Sequence, residues 1–259
     1  ICMMELLVTE VVERFYSFVW PMIRISAFFL IAPFFSLQVV TVRIRVLLAA
    51  LLTWMIYPFL EIPVIDPSSV TGLVQVFNQV LVGAIMGLIL QVVTAALVVG
   101  GQTISMSMGL GMANMIDPNV GNVPLLSVFI LIFSTLIFLG LGGHIIMLSL
   151  LIETFSVLPI GKTVVPSDLF AFVIKWSSMT FLGAVLIALP VMVSLLFINL
   201  GIGVITRTAP ALNIFAVGFP AMIIAGIILF SVSMTSIGYR VQWLWLKSLE
   251  TIKEGFGLV

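Results

Sequence analysis

The sequence has very few charged residues. Only 8% of its 259 residues are Asp, Glu, Lys or Arg, whereas an ordinary soluble domain has roughly 25%. Hydrophobic residues make up 62% of the chain, and the mean hydropathy is +1.36. So few charges cannot cover a water-facing surface. The main solvent of the chain is therefore expected to be lipid or other apolar protein surface.

Cysteine and histidine are nearly absent, because the chain has one of each, Cys2 and His144. One cysteine excludes an intramolecular disulfide and a cysteine-based metal site, and one histidine argues against a histidine-rich metal or haem site. The net charge is zero, so no basic patch is available to bind nucleic acid. The sequence also lacks nucleophile–base and metal motifs such as GxSxG and HExxH. We therefore expect no catalytic residues, no metal and no cofactor.

Long charge-free stretches divide the chain. No charged residue occurs between Asp66 and Asp117, and three further gaps cover 118–152, 176–206 and 208–239. Each gap exceeds the roughly 20 residues that cross a hydrocarbon core as a helix. Backbone groups in lipid must be hydrogen-bonded internally, so these stretches are expected to be helical. The sequence predicts a single all-α domain of integral-membrane-type helices and helical hairpins, with hydrophobic segments at about 15–35, 44–60, 73–99, 125–151, 169–200 and 211–237.

The distribution of basic residues does not assign an orientation in the membrane. With six alternating spans, one side would collect five basic residues: Arg14, Lys162, Arg240, Lys247 and Lys253. The opposite side would collect three: Arg43, Arg45 and Arg207. This bias is too small for the positive-inside rule. It indicates that several segments do not cross lipid in the usual way.

The stretch 100–122 is the least regular part of the sequence. It combines four methionines with small and polar residues, and Gly100, Gly101, Gly109 and Gly111 each disfavour a helix by about 1 kcal/mol relative to Ala. We expect irregular backbone around Gly109, which at membrane depth is tolerated only inside protein or beside an aqueous cavity. Methionine side chains are flexible and can seal around irregular partners. The composition alone leaves two interpretations open, a gate in a conduit and a tight helical hairpin packed through small residues.

Four isolated charges are candidates for structural or inter-subunit roles. Arg24 lies deep in the first segment and is expected to need a buried partner, on this chain or on another one. Lys175 and Arg207 lie close enough to segment ends to reach the membrane interface. Glu153 lies nine residues after His144. The two fall on opposite helix faces, about 13 Å apart along the axis, so a packed histidine is favoured over a proton relay.

Two further patterns concern packing. The GxxxG spacing of Gly83 and Gly87 in an apolar segment indicates close helix contact. Stretch 239–259 combines aromatic and charged residues in an amphipathic pattern that is typical of a helix at an interface or against a partner.

Three long motifs resemble one known family. They are GLGMANMIDPNVGNVP from Gly109 to Pro124, GGHIIMLSLLIETFSVLPIG from Gly142 to Gly161, and ALPVMVSLLFINLGIGVITRTAPALNIFAVGFP from Ala188 to Pro220. Their order and content resemble the flagellar branch of the FliR/SctT family of type III secretion export-gate proteins. The resemblance covers nearly the whole chain and is weakest over residues 1–14.

The resemblance implies a structural and gating subunit of the flagellar export apparatus, in the bacterial inner membrane at the flagellar basal body. In this family a FliP-like N-terminal part precedes a FliQ-like C-terminal part. The subunit joins FliP and FliQ in a helical hetero-oligomer that is partly raised out of the bilayer plane. FlhB wraps the cytoplasmic entrance, and FlhA belongs to the wider apparatus. The substrates are unfolded flagellar subunits.

The resemblance also implies a pore plug in the methionine- and glycine-rich stretch. The residues carried over are Met106, Met108, Gly109, Leu110, Gly111, Met112, Ala113, Asn114 and Met115. Asp117 and Pro118 would end this loop. An entering chain would displace the plug, which would reseal afterwards and limit the leakage of ions and small solutes. Arg207 precedes a stretch that matches the family well, and we expect it to pair with a carboxylate in the assembly.

Three alternatives stay open from the sequence. A small ion-coupled transporter subunit would need an acidic residue at a midplane site, but Glu153 and Asp117 lie at segment edges. The virulence injectisome homologue would share the fold and the mechanism, and no single residue separates it from the flagellar branch. An intramembrane enzyme has no nucleophile–base constellation to support it.

Overall fold

A computed structural model describes residues 2–35, 40–60, 62–63, 65–67, 69–110, 125–162, 167–208 and 214–258. Within these ranges all regular structure is helical, which confirms the all-α prediction. The α-helices are α1 (Cys2–Ile31), α2 (Val42–Ile56), α3 (Val70–Ser107), α4 (Leu125–Gly140), α5 (Gly143–Val157), α6 (Ser167–Ser177), α7 (Met179–Thr208) and α8 (Ile214–Phe256). A short 3-10 helix, Tyr57–Phe59, follows α2.

Several helix ends differ from the sequence prediction. The segment predicted over 125–151 is two helices, because Gly142 adopts a left-handed conformation (φ +68°) that interrupts the helix between α4 and α5. The segment predicted over 169–200 is also two helices, divided at Ser178. The amphipathic stretch at 239–259 is no separate helix, since α8 continues through it to Phe256.

The third helix is longer than the sequence predicted. Its apolar pattern indicated an end near residue 99, but α3 continues through Gly100 and Gly101 to Ser107. Two glycines disfavour a helix by about 2 kcal/mol together. The close packing that they permit, described below for α4 and α7, offsets this cost.

Many of the described helices have the length and composition of membrane spans. Five segments are long and apolar enough to cross a membrane: Glu13–Ile31, Val42–Phe59, Val70–Ser107, Asp168–Thr208 and Pro220–Phe256. The count rises to six if α4 and α5 together form one broken span. Helices α3 and α8 contain 38 and 43 residues, about twice what a bilayer crossing requires.

The chain forms two compact units, and each is built from distant parts of the sequence. The first unit comprises residues 1–92, 142–177 and 247–259, and the second comprises 93–141 and 178–246. Helices α3 and α8 contribute residues to both units.

In the first unit, α1 and α3 approach each other at two glycines. A Cβ atom on Gly83 would lie 2.3 Å from the backbone oxygen of Arg24, and one on Gly87 would lie 2.8 Å from Cβ of Ile31. Both distances are too short for a side chain, which confirms the close contact predicted from the GxxxG spacing. The indole Nε1 of Trp176 donates a 3.0 Å hydrogen bond to the Ile89 carbonyl and so ties α6 to α3.

In the second unit, the C-terminal part of α3 packs against α4 and α7. A Cβ atom on Gly101 would lie 2.6 Å from Cα of Ser127, and one on Gly100 would lie 3.2 Å from the carbonyl oxygen of Ala184. The Ser127 hydroxyl donates a 2.9 Å hydrogen bond to the Val98 carbonyl, which joins α4 to α3. Both glycines are therefore packing positions.

Helix α8 is joined to α4 by a buried tryptophan. The indole Nε1 of Trp245 donates a 2.7 Å hydrogen bond to the Ser134 hydroxyl, and its ring lies 4.7 Å from that of Phe138. Trp245 therefore does not anchor α8 at a membrane interface, as the aromatic pattern of stretch 239–259 had suggested for this region. It is a core residue of the second unit.

Candidate functional site

The candidate site is the C-terminal end of α3, where the methionine- and glycine-rich stretch begins. The last helical hydrogen bond runs from the Met108 amide to the Ile104 carbonyl, at 3.0 Å. The next residue, Gly109, has φ +80° and its amide donates to the Met106 carbonyl at 3.0 Å. A left-handed glycine is a common way to end a helix, because it has no Cβ atom to clash. The predicted break at Gly109 is thus confirmed.

Only part of the predicted plug falls on described residues. Met106, Met108, Gly109 and Leu110 are described, and they lie together at the end of α3. The other residues of the plug and its end lie outside the described ranges: Gly111, Met112, Ala113, Asn114, Met115, Asp117 and Pro118.

The two methionines at this helix end have opposite environments. Met106 is 62% exposed, whereas Met108 is 0% exposed. The side chain of Met108 lies against Gly226 of α8, where a Cβ atom would be 2.5 Å from the methionine Cγ. Met108 is therefore a packed residue, and Met106 is the exposed methionine of the two.

A small apolar cavity lies beside the same helix end. Its volume is about 280 Å³, and it is lined by residues of α3, α7 and α8: Ser107, Met192, Val193, Leu195, Leu196, Asn199 and Met222. None of these residues is ionisable, so the cavity has no group for acid–base or nucleophilic chemistry. The described residues at this helix end therefore offer mainly apolar packing surfaces.

Sequence reasoning did not identify Gly226, Met192 or Met222 as neighbours of the site. They follow Met108 by more than 80 residues, and no local pattern connects such distant positions. One signal was present for Gly226, because a glycine inside an apolar helix costs about 1 kcal/mol relative to Ala and so needs a packing reason.

Arg24 has the buried partners that its position in α1 led us to expect, but they are neutral and belong to the same chain. Its Nε donates to Oε1 of Gln79 at 2.7 Å, Nη1 to the Thr154 hydroxyl at 3.1 Å, and Nη2 to the Leu158 carbonyl at 2.8 Å. The guanidinium carbon also lies 4.1 Å from the ring centroid of Phe155. One fully buried cation thus joins α1 to α3 and to the end of α5.

The remaining predicted charges lie apart from this helix end in the sequence. Lys175 and Arg207 are exposed and each occupies the last turn of its helix, where a cation interacts favourably with the helix dipole. Among the described residues Arg207 makes no ion pair, so its carboxylate partner stays a prediction.

Glu153 is half-buried on the wall of an open, mainly apolar cavity of about 1050 Å³ that Lys162 also lines. In the described part of the chain, no cluster of His, Cys, Asp and Glu could hold a metal ion.

We predict that Arg24→Met will destabilise the protein. The substitution keeps much of the side-chain volume but leaves Gln79 Oε1 and the Leu158 carbonyl without their donor. The free energy of unfolding should fall by about 2–4 kcal/mol. The measurement is the thermal unfolding midpoint of the purified chain in detergent. Arg43→Met, at an exposed position of α2, is the matched control. Equal midpoints for the two variants would contradict a structural role for Arg24.

Comparison with known proteins agrees with the sequence motifs. Residues 15–247 match the family described as "Bacterial export proteins, family 1". The flagellar biosynthetic protein FliR of Escherichia coli (strain K12) is 35% identical over 219 residues, covering 84% of this chain and 84% of that protein. FliR of Buchnera aphidicola subsp. Baizongia pistaciae is 34% identical over 215 residues (83% and 84%), and FliR of Bacillus subtilis (strain 168) is 30% identical over 254 residues (96% and 98%). The chain therefore belongs to family 1 of the bacterial export proteins, the FliR/SctT family.

Proposed function

We propose that this chain is a structural and gating subunit of the flagellar type III export apparatus in the inner membrane. In this proposal it assembles with FliP and FliQ, contacts FlhB, and forms part of the conduit for unfolded flagellar subunits. The observation that carries the gating role is the end of α3. A 38-residue apolar helix stops at a left-handed glycine, Gly109, which is also the first residue of the motif that resembles the family's plug.

The chemistry of this helix end supports sealing. Met106 is exposed and Leu110 is half-buried, and the adjoining cavity has no ionisable lining residue. Apolar side chains can obstruct the passage of water and ions, and they attract neither cations nor anions. Contacts of this kind are non-directional, so the apolar side chains of an entering polypeptide can replace them with contacts of their own. The proposed plug keeps Met106 and residues 109–115 of the predicted set. It leaves out Met108, which is buried against Gly226.

The exposed surface supports assembly with apolar partners. Large apolar side chains of α7 are exposed in the isolated chain, among them Phe181 (72%), Phe197 (69%) and Leu200 (60%). Such residues need lipid or protein around them, because a soluble monomer rarely exposes large contiguous apolar patches. We propose that FliP and FliQ cover part of this surface and that lipid covers the rest. The division into FliP-like and FliQ-like parts belongs to the same proposal.

The transporter alternative has less support. A proton- or ion-coupled site needs an acidic side chain within a membrane span. The acidic candidate, Glu153, lies near the C-terminal end of α5 and lines an open cavity. The flagellar names of the relatives favour the flagellar branch over the injectisome branch.

We predict that the affinity-tagged chain will be recovered as a hetero-oligomer. Native mass spectrometry of the chain, purified in mild detergent from a strain that expresses its flagellar genes, should detect one copy with several FliP and FliQ chains. Recovery as a lone chain or a homodimer, while intact FliP and FliQ are present in the same cells, would contradict the proposed assembly.

We predict that deleting residues 110–115 will make cells leak without preventing assembly. The deletion retains Met108 and the helix-ending Gly109 and removes most of the proposed plug. Leakage is measured as the uptake of a small membrane-impermeant dye and as the loss of membrane potential. A second variant that replaces residues 110–115 with six Gly and Ser residues keeps the chain length. Leakage in both variants would assign sealing to the apolar side chains. Cells of the deletion variant as tight as wild type would refute the plug.

We predict that Gly109→Val will impair motility far more than Gly109→Asn. Valine at φ +80° is strained by at least about 1–2 kcal/mol, whereas asparagine tolerates this conformation better. Swimming in soft agar measures function, and immunoblotting of membranes measures insertion. Gly140→Val, at the end of α4, is the control, because Gly140 has no positive φ and no heavy atom within 4 Å of the Cβ position. Equal motility of the Val and Asn variants at position 109 would show that the left-handed turn is dispensable.

A further inference from the structure

Gly226 in α8 makes room for the side chain of Met108. A Cβ atom on Gly226 would lie 2.5 Å from Cγ, 2.6 Å from Cε and 3.1 Å from Sδ of Met108. The methionine side chain beyond its own Cβ atom thus lies directly against the glycine. Because real Cβ atoms do not approach other atoms to 2.6 Å, only glycine at position 226 permits this conformation of Met108.

Met108 lies at the point where the helical backbone of α3 ends. Its amide still bonds to the Ile104 carbonyl, while the following residue, Gly109, has φ +80°. Met108 is therefore the last residue of this helix end that is held both by the helix ladder and by side-chain packing. Its exposure is 0%, in contrast to that of Met106.

The rest of α3 in this unit is held in place by its own contacts. Gly100 and Gly101 hold the helix within contact distance of the backbones of α7 and α4. An extra methyl group at position 226 would drive the flexible side chain of Met108 out of its contact with α8, while these upstream contacts hold the helix body in place. The end of α3 would then lose this contact with α8 next to the Gly109 turn, where φ is +80°.

We infer that Gly226 is a positioning residue of the export gate. The contact between Gly226 and Met108 is a fixed anchor that sets where the chain leaves α3, and it stays closed when the gate opens. This inference rests on the gating function proposed above, and it assigns different roles to the two methionines. Met108 holds the end of α3 in place, whereas Met106 is exposed and faces the proposed conduit or a partner.

The first test compares two glycine substitutions in the same helix. Gly226→Ala and Gly238→Ala both improve helix propensity by about 1 kcal/mol. A Cβ atom at position 238 meets only the ring of Phe133 at 3.6 Å, an ordinary contact. Complexes of both variants should assemble at wild-type levels. Cells with Gly226→Ala should take up an impermeant dye several-fold faster than cells with Gly238→Ala.

Two outcomes of this comparison would overturn the inference. Equal dye uptake by the two variants would show that the position of Met108 does not affect sealing. Loss of the assembled complex with Gly226→Ala alone, measured by native mass spectrometry, would make Gly226 a packing residue of the fold. Wild-type assembly together with raised uptake is the result that a purely structural role does not produce.

The second test asks whether the anchor stays closed during export. In a chain with Cys2→Ser, Met108→Cys and Gly226→Cys place two sulfur atoms within reach of a disulfide, since a cysteine Sγ lies near the position of the methionine Cγ. Met106→Cys with Gly226→Cys is the control, because Met106 is exposed and Met108 occupies the space beside Gly226.

Mild oxidation of the assembled complex should cross-link the 108–226 pair and leave the 106–226 pair uncross-linked. Export by the cross-linked chain should equal export by the same variant in its reduced form. The absence of a 108–226 cross-link, or export that stops on oxidation and resumes on reduction, would overturn the fixed anchor.

These tests separate failure of the inference from failure of the proposed function. If deletion of residues 110–115 causes leakage but Gly226→Ala does not, the gating function is supported and the inferred role of Gly226 is wrong. If the deletion leaves cells tight, the gating function itself is wrong, and the assignment of Gly226 to the gate fails with it. The yield of the 108–226 cross-link would then report only on the packing contact.

Discussion

The structure depends on how closely other helices approach the backbone of α3. Gly83 and Gly87 lie against α1 in the first unit, and Gly100 and Gly101 lie against α7 and α4 in the second. In an apolar solvent the hydrophobic effect does not drive helices together, so association relies on dense packing and on internal hydrogen bonds. Each glycine removes the side chain that would separate two backbones. Helix α3 is therefore the element on which both units are built.

A few buried polar contacts add specificity to this packing. The guanidinium of Arg24 joins three helices of the first unit through neutral acceptors, and the indoles of Trp176 and Trp245 each donate one hydrogen bond to a neighbouring helix. An unsatisfied donor in such an environment costs about 1–3 kcal/mol, so these contacts disfavour other helix registers. Packing brings the helices together, and the polar contacts select one arrangement.

The sequence predicted what depends on local pattern. Charge-free gaps predicted the helices, the GxxxG spacing predicted the contact of α1 with α3, and the composition predicted the break at Gly109. The predictions failed where contacts with residues distant in the sequence determine the structure. Helix α3 passes through Gly100 because α7 packs there, and the partners of Arg24 lie 55, 130 and 134 residues away. No local pattern contains that information. The different roles of Met106 and Met108 were accessible in principle, since residues two apart point to different sides of a helix.

The hydrogen-bonded cluster around Arg24 and the apolar contacts at the end of α3 differ in kind. This difference bears on how the proposed gate could open repeatedly without weakening the fold. Arg24 is held by three hydrogen bonds and an aromatic ring, and breaking such a cluster costs several kcal/mol. The end of α3 is held by a methionine against a glycine and by one turn, with no ionisable residue lining the neighbouring cavity. In the proposed gate, the upstream glycine contacts and the contact of Met108 with Gly226 hold α3, and the displaced part begins after Gly109. The proposed gate would therefore keep its hydrogen-bonded and closely packed contacts in the scaffold and confine the displaced part to exposed apolar residues such as Met106.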